Sequence, residues 1–252
     1  MTFHMRDFRT TAGVTRRYGI VSPTHPSGEV FLWLHGSMQS ATVTRRFTRS
    51  LFDAYTAAGV TVLYPEGVAR HWNDGRVHLK EKTRELETDD VGFLTELVGS
   101  FQPTRVLAAG FSNGGHMIFR LLHEAPGLLS KAAVIAATQP VADNFLPTAT
   151  NWVATDLLIM HGTADPISPF DGGIVGLTRD VTSRGLVLSA PETVAYYADR
   201  NGSPNSIAFH PLSGVGHVVP GPDCITSPLL GPACTEVHAA KIIAEFFGLA
   251  YT

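Results

Sequence analysis

Charge is scarce in this chain of 252 residues: Asp, Glu, Lys and Arg make up 16% of it, and the formal net charge is −3. Neither nucleic acid nor an anionic membrane surface would find a basic field to bind. Long hydrophobic runs are missing too, the longest apolar stretches being strand-sized, far short of the ~20 residues of a membrane span. The start, "MTFHMRDFRTTAG", lacks the charged-then-apolar pattern of a secretory leader. The expected compartment is the cytosol if residue 1 is the native start, and the periplasm or exterior if a leader has been removed. There are 11 histidines but no His-Glu-x-x-His and no paired Cys/His spacing, so neither a metal nor any other cofactor is expected. Cysteine is limited to Cys224 and Cys234, in "GPDCITSPLLGPAC". A disulfide closing that loop and a pair of free thiols are both open readings. Repeats, low-complexity tracts and linker-like shifts are absent. A single domain over 1–252 is therefore expected, and nothing specifies an oligomeric state.

What is present is a hydrophobic content of 44%, enough for a sizeable core. Short, nearly continuous apolar runs recur at 29–36, 59–65, 104–110, 131–138, 155–162 and 206–214, each stopped by Gly or Pro. Strands buried on both faces have that pattern. Segments of helical character lie between them at 41–58, 89–101, 114–124, 190–200 and 235–247, and strand alternating with helix predicts a parallel sheet covered on both sides. "YGIVSP" (18–23) adds an antiparallel strand at the start. Ser40 and Ser189 stand as N-caps, Gly59 fits a helix end, and Pro103 stops a helix before the next strand.

The chemistry centres on "VLAAGFSNGGHM" (106–117), where Gly110-Phe111-Ser112-Asn113-Gly114 follows an apolar strand and opens a helix. Gly-x-Ser-x-Gly in that context forms a nucleophile elbow, and its glycines are needed because a Cβ would strike neighbouring backbone. A serine needs a base and an acid to orient it. "LLIMHGTADP" delivers Asp165 just beyond a strand, and "LSGVGHVVP" delivers His217 after the last one. The order Ser…Asp…His is that of α/β-hydrolases. Asp156 begins a strand, and Asp171 and Asp223 lie farther along loops, so they fit worse as the acid. His161 and His210 fit satisfied structural roles better than that of the base. The Asn113 N–H, directly after the nucleophile, is one expected oxyanion donor. The other comes from "LHGSMQS": the Ser37 N–H, with Met38 as the neighbouring candidate and as a substrate contact. His35 is expected to brace this loop by hydrogen bonding. Trp72, in "ARHWNDGR", is expected as a substrate-stacking wall at the catalytic edge, and 76–90 as a solvated flap of mixed charge. Asp89 and Asp90 cap a helix.

"LHGSMQS", "YPEGVARHWNDGR", "DDVGFLTELV", "GFSNGGHM", "HGTADPISPFDGG", "LSAPETVAYYADRNG" and "GHVVPG" occur in that order. Together, over about 17–248, they resemble the polyhydroxybutyrate depolymerase-like and feruloyl esterase-like hydrolases. The resemblance implies an α/β-hydrolase fold, a Ser112–Asp165–His217 triad and hydrolysis of carboxylic esters by an extracellular or periplasmic enzyme. Relatives often carry Cys or Gly at the position of Ser37. They often follow the catalytic His with Thr-Trp-Pro, where this chain has Val218-Val219-Pro220 and so lacks an aromatic wall. The chain is short for a hydrolase core plus a full cap domain. An open cleft is therefore expected, suited to bulky or polymeric hydroxyalkanoate, feruloyl or acetyl esters. The alternatives are a polyamide cleaved by the same acyl-enzyme route and a catalytically inert scaffold used for binding.

Overall fold

The computed structural model describes residues 2–147, 151–176, 184–225 and 227–251. The expected loops over 139–154, 166–188 and 218–234 lie partly outside these residues. Strands β1 (Phe3–Arg9), β2 (Thr15–Val21), β3 (Glu29–Leu34), β4 (Thr61–Pro65), β5 (Arg105–Phe111), β6 (Lys131–Ile135) and β7 (Asp156–Gly162) come first. The hairpin β8 (Gly173–Ile174) and β9 (Leu186–Val187) and the last strand β10 (Ile207–Leu212) follow. The main sheet has eight strands in the order β1-β2-β4-β3-β5-β6-β7-β10, parallel from β4 to β10, with β1 and β2 added antiparallel.

Alternation along the central strands builds two cores. Phe31 and Trp33 of β3, with Leu107 and Ala109 of β5, pack with Phe52, Tyr55, Ile243 and Phe247. Those four belong to a 3₁₀ helix over Leu51–Ala58 and to the C-terminal helix Ala239–Phe247. Val30, Leu32 and Leu34 face the other way, onto Leu94, Leu97, Met117 and Leu121. Past the charged first residues Glu29 and Arg105, these strands are apolar or glycine at every position because both faces are covered. The helices are α1 (Ala41–Phe47), α2 (Lys82–Glu85), α3 (Asp90–Gly99), α4 (Asn113–Glu124), α5 (Ala190–Asn201) and α6 (Ala239–Phe247).

The expectations over 41–58 and 76–90 are corrected, and an unanticipated strand stands at the start. The helix over 41–58 is broken: the Thr48 hydroxyl bonds back to the Thr44 carbonyl, and Arg49 and Ser50 then take left-handed φ of 52° and 59°. Such back-bonding competes with the helical ladder, and the chain restarts as the 3₁₀ turn ending at left-handed Gly59. The segment 76–90 is not a solvated flap, since Arg76, Leu79, Thr83 and Asp90 are buried and α2 lies within it. β1, for which the sequence carries no apolar run, pairs with β2 over seven residues. Cys224 and Cys234 are half-buried free thiols, and burial pushes the Cys224 thiol up.

Candidate active site

Ser112 stands between β5 and α4 at φ 55°, ψ −116°, a strained conformation for a residue with a side chain. The strain is held from several sides. The Ser112 N–H donates to the Ile135 carbonyl at 2.9 Å, and the Ser112 carbonyl accepts from the His116 N–H at 3.0 Å. A Cβ on Gly110 would strike the Gly114 carbonyl, and one on Gly114 the Leu34 carbonyl. Only glycine lets the elbow fold this tightly.

His217 arrives on the turn after β10. This turn is wedged in place: the Gly216 N–H donates to Pro232 O at 2.7 Å and the His217 N–H to Leu230 O at 2.6 Å. Gly162, at the end of β7, has no room for a Cβ beneath the Val215 carbonyl. The result is one continuous chain of hydrogen bonds. His217 Nδ1 lies 2.7 Å from Asp165 Oδ2, and His217 Nε2 lies 2.8 Å from Ser112 Oγ. With Nδ1 donating to the carboxylate, Nε2 is left to accept the serine proton. The second Asp165 oxygen accepts from the Ile167 and Ser168 N–H groups, each at 2.8 Å. Burial raises the Asp165 pKa, but the charge and hydrogen bond of His217, with His161 and the Ser168 N–H, outweigh it and leave the carboxyl below its ordinary range. The acid therefore stays ionised.

His161 is buried, with Nε2 2.8 Å from Ser168 O and 3.6 Å from Asp165 Oδ2. It braces the acid loop from behind. His210 is half-buried in β10.

A cavity of about 390 Å³ opens over Ser112 and His217. Met38, Phe47, Phe111, Ile167 and Leu230 form its apolar wall, and Ser37, Gln39, Glu81 and Arg184 its polar side. Met38 is 70% exposed and sits at φ 64°. Its N–H donates to Arg70 O at 2.9 Å, which removes it as an oxyanion donor and leaves its side chain as a cavity wall. The N–H groups of Ser37 and Asn113 have no partner among the described residues. Asn113 is the first residue of α4, where an N–H has no intrahelical acceptor. His35 braces the turn, accepting the Gly67 N–H at Nε2 (2.9 Å), so that Nδ1 carries the proton and donates to Gly36 O (2.8 Å). Burial, against the Gly36 hydrogen bond, lowers its pKa to about 4, so it is neutral at pH 7.

Trp72 is not a substrate wall. It is 0% exposed, its Nε1–H donates to His35 O at 3.0 Å, and its ring lies 4.8 Å from that of His35. The Asn113 amide explains the burial: Oδ1 accepts the Trp72 N–H at 2.7 Å, and Nδ2 donates to Trp72 O at 3.1 Å and to Asp74 Oδ2 at 2.6 Å. Asn113, directly after Ser112, thus holds the "HWND" backbone under the elbow. Asp74 is in turn paired with Arg76, itself 1% exposed, at 2.6 Å. Burial works against the Asp74 charge, but Arg76 prevails and holds the carboxyl at about 2. The neighbouring His116 is pushed down to about 3 by burial and by Arg76. Asp74, Arg76 and His116 were missed in the sequence. No local pattern marks them, because Asp74 meets Asn113, and His116 comes near Asp74 and Arg76, only in the fold.

No group of three or more His, Cys, Asp or Glu side chains suited to a metal occurs among the described residues. No helix among them is long and apolar enough to cross a membrane.

No protein-family model matches the chain. It is 35% identical over 176 residues to a protein of Nocardia uniformis subsp. tsuyamanensis described as "Putative esterase NocK", covering 64% of this chain and 48% of the relative. The chain thus spans about half the length of that relative. Among solved structures, a lidless α/β serine hydrolase from Xanthomonas campestris superposes with a TM-score of 0.55 at 14% identity, covering 99% of this chain and 96% of that one. LpqC, a poly(3-hydroxybutyrate) depolymerase from Bordetella parapertussis, superposes with a TM-score of 0.53 at 16% identity, covering 86% and 84%. A cold-adapted esterase from an Arctic intertidal metagenomic library gives a TM-score of 0.57 at 12% identity, covering 85% of each chain. These superpositions span most of the chain and agree with its mostly parallel eight-stranded sheet flanked by helices: this chain has the α/β-hydrolase fold.

Proposed function

We propose that the protein is a serine hydrolase of carboxylic esters working through an acyl-enzyme. The observation that carries this is the unbroken Asp165–His217–Ser112 hydrogen-bond chain ending at a strained elbow in a cavity. As an ester carbonyl approaches Ser112 Oγ, His217 Nε2 takes the hydroxyl proton and the C–O bond to the enzyme forms. Asp165 stabilises the imidazolium without accepting its proton. The carbonyl oxygen becomes an oxyanion facing the unpartnered N–H groups of Asn113 and Ser37, at the N-terminus of α4. Collapse expels the alcohol, which receives the proton from His217. Water then repeats the sequence on the acyl-enzyme and releases the acid.

The apolar wall of Met38, Phe47, Phe111, Ile167 and Leu230 suits the acyl or alcohol chain. Hydroxyalkanoate, feruloyl and acetyl esters are the classes to test, in line with the sequence resemblance and with the activity named for LpqC. Among the described residues the loops after β4, β6, β7 and β10 carry α2, the β8–β9 hairpin and three-residue 3₁₀ turns at Val68–Arg70, Ala142–Asn144 and Pro228–Leu230, all short elements, in keeping with a cleft not roofed by a cap domain. The reading is tested by mixing the enzyme with p-nitrophenyl acetate. A stoichiometric burst of p-nitrophenol followed by slower turnover is expected. The absence of both burst and turnover from folded protein would favour an inert binding scaffold. A panel of acetyl, feruloyl and 3-hydroxybutyryl esters then ranks the acyl groups by kcat/KM.

A further inference from the structure

The oxyanion turn carries a mark of strain. Met38 holds a left-handed φ of 64° without being glycine, a conformation that persists only when its surroundings over-determine it. Backbone restraints act on both sides of Ser37. The Gly36 N–H donates to Gln39 Oε1 at 3.1 Å, and the Met38 N–H to Arg70 O at 2.9 Å. Ser37 itself is gripped from across the cavity, where Arg184 Nη1 donates to its hydroxyl at 2.9 Å. The same guanidinium donates from Nη2 to Glu81 Oε1 at 2.6 Å, and Glu81 Oε2 lies 3.5 Å from His71 Nε2.

Arg184 is well rooted for such a grip. Its N–H donates to Val175 O at 3.0 Å, and its carbonyl accepts from Asn144 Nδ2 at 3.1 Å. Two elements distant in sequence, the β9 approach and the α2 segment, thus meet on one side chain that touches the residue whose N–H is free. A planar fork suits this work, because two N–H groups fixed in one plane can hold a hydroxyl and a carboxylate together. Burial and the nearby Arg76 disfavour the Arg184 charge. Glu81 offsets that cost, so the pair is neutral overall and is poorly suited to capturing an anionic substrate.

We infer that Arg184 is a positioning residue: steadied by Glu81, it fixes Ser37 through the hydroxyl, so that the Ser37 N–H stands where the oxyanion forms. This rests on the ester-hydrolase reading above. The reacting ester need not touch Arg184, so its effect falls on the transition state and passes through Ser37.

The test is a double-mutant cycle on p-nitrophenyl acetate, a neutral substrate. It compares wild type with Arg184→Ala, Ser37→Ala and the double variant, and with Arg184→Lys and Glu81→Gln. Ser37→Ala deletes the hydroxyl and keeps the N–H. Losing an oxyanion donor outright costs roughly 10²–10³-fold in kcat, so loosening one should cost about ten- to a hundredfold. Each single alanine variant should lower kcat by about that factor with KM within about threefold, and the double variant should be no worse than Arg184→Ala alone. Arg184→Lys, which can satisfy only one partner at a time, and Glu81→Gln should fall between. Losses that multiply in the double variant would overturn the inference, as would a rise in KM confined to the Arg184 variants or an unaltered kcat in Ser37→Ala. Should Arg184→Ala not fold, Ser37→Ala and Arg184→Lys decide by the same criteria. A folded wild type with neither burst nor turnover overturns the hydrolase reading itself, a result distinct from an active wild type with unaffected variants.

Discussion

Ser112, His217 and Asp165 are within hydrogen-bond reach of one another although 52 and 105 residues separate the partners in the chain. Their convergence was legible in the sequence because each polar side chain follows the end of a buried strand, within five residues for Asp165 and His217, and such positions are few. Trp72 was not legible. Its exposure depends on the Asn113 amide, which satisfies the Trp72 backbone and holds it beneath the elbow. No local pattern in "HWNDGR" encodes a partner 41 residues away. Two outcomes follow at this scale. Ser112→Ala should lower kcat by at least about a thousandfold, as losses of a triad nucleophile do, while the thermal midpoint stays close to wild type, because alanine keeps the same Cβ and backbone and gives up only the hydrogen bond to His217. A folded variant retaining more activity would remove Ser112 from the nucleophile role. Trp72→Ala should cost about 3–5 kcal/mol, the usual range for deleting a buried aromatic side chain. It should depress activity on acetyl and feruloyl esters alike, as measured by denaturant unfolding and parallel kinetics. An unchanged midpoint with a KM rise for feruloyl esters alone would restore the stacking role.

Elements were read well where burial on both faces forced a continuous apolar run, as in β3, β5 and β7, and where a cap fixed an end. The Ser189 side chain and Glu192 form a reciprocal capping box at the start of α5. They were read poorly where tertiary contacts chose the conformation. β1 mixes half-buried and exposed positions with charged residues among them, and gains its place by pairing with β2. The 76–90 segment has a mixed-charge sequence, yet Asp90 accepts from Arg16 at 2.6 Å and Asp74 from Arg76, both inside the protein. Charge in the sequence does not reveal whether its counter-ion lies in the same buried place. The junction of β5 and α4 gives the sharpest test of element placement. A Cβ on Gly114 would meet the backbone carbonyls of both Leu34 and His35, and neither can retreat without moving β3. Gly114→Ala should therefore cost at least about 2 kcal/mol, at the upper end of overpacking penalties, and should lower kcat by displacing the elbow against the oxyanion turn. Calorimetry showing a midpoint equal to wild type would mean that β3 and α4 are less tightly coupled than these contacts require.

For the whole molecule, the buried histidines set the dependence of stability on pH. Burial lowers His35 to about 4, His123 to about 4, and, with Arg76, His116 to about 3, each against an ordinary 6.5. In the unfolded chain these imidazoles take up protons near pH 6.5, whereas in the folded chain they resist until pH 3–4. Between those limits the unfolded state binds more protons, so stability falls as the pH falls. Asp74 adds to the loss lower down. Its folded value of about 2 lies under the ordinary 3.8, so its contribution is present above about pH 4 and vanishes as the pH drops through 2. That contribution is on the order of 2 kcal/mol at one pH unit per ~1.4 kcal/mol. The thermal midpoint should thus begin to decline already below about pH 6.5, before the carboxylates titrate, and continue falling to pH 3. Replacing His116 with Gln, which keeps a polar side chain but cannot ionise, should flatten part of the slope between pH 6 and 4. A midpoint constant from pH 7 to 4.5, or a slope unchanged in His116→Gln, would show that the imidazoles beneath the elbow accept protons without unfolding the site.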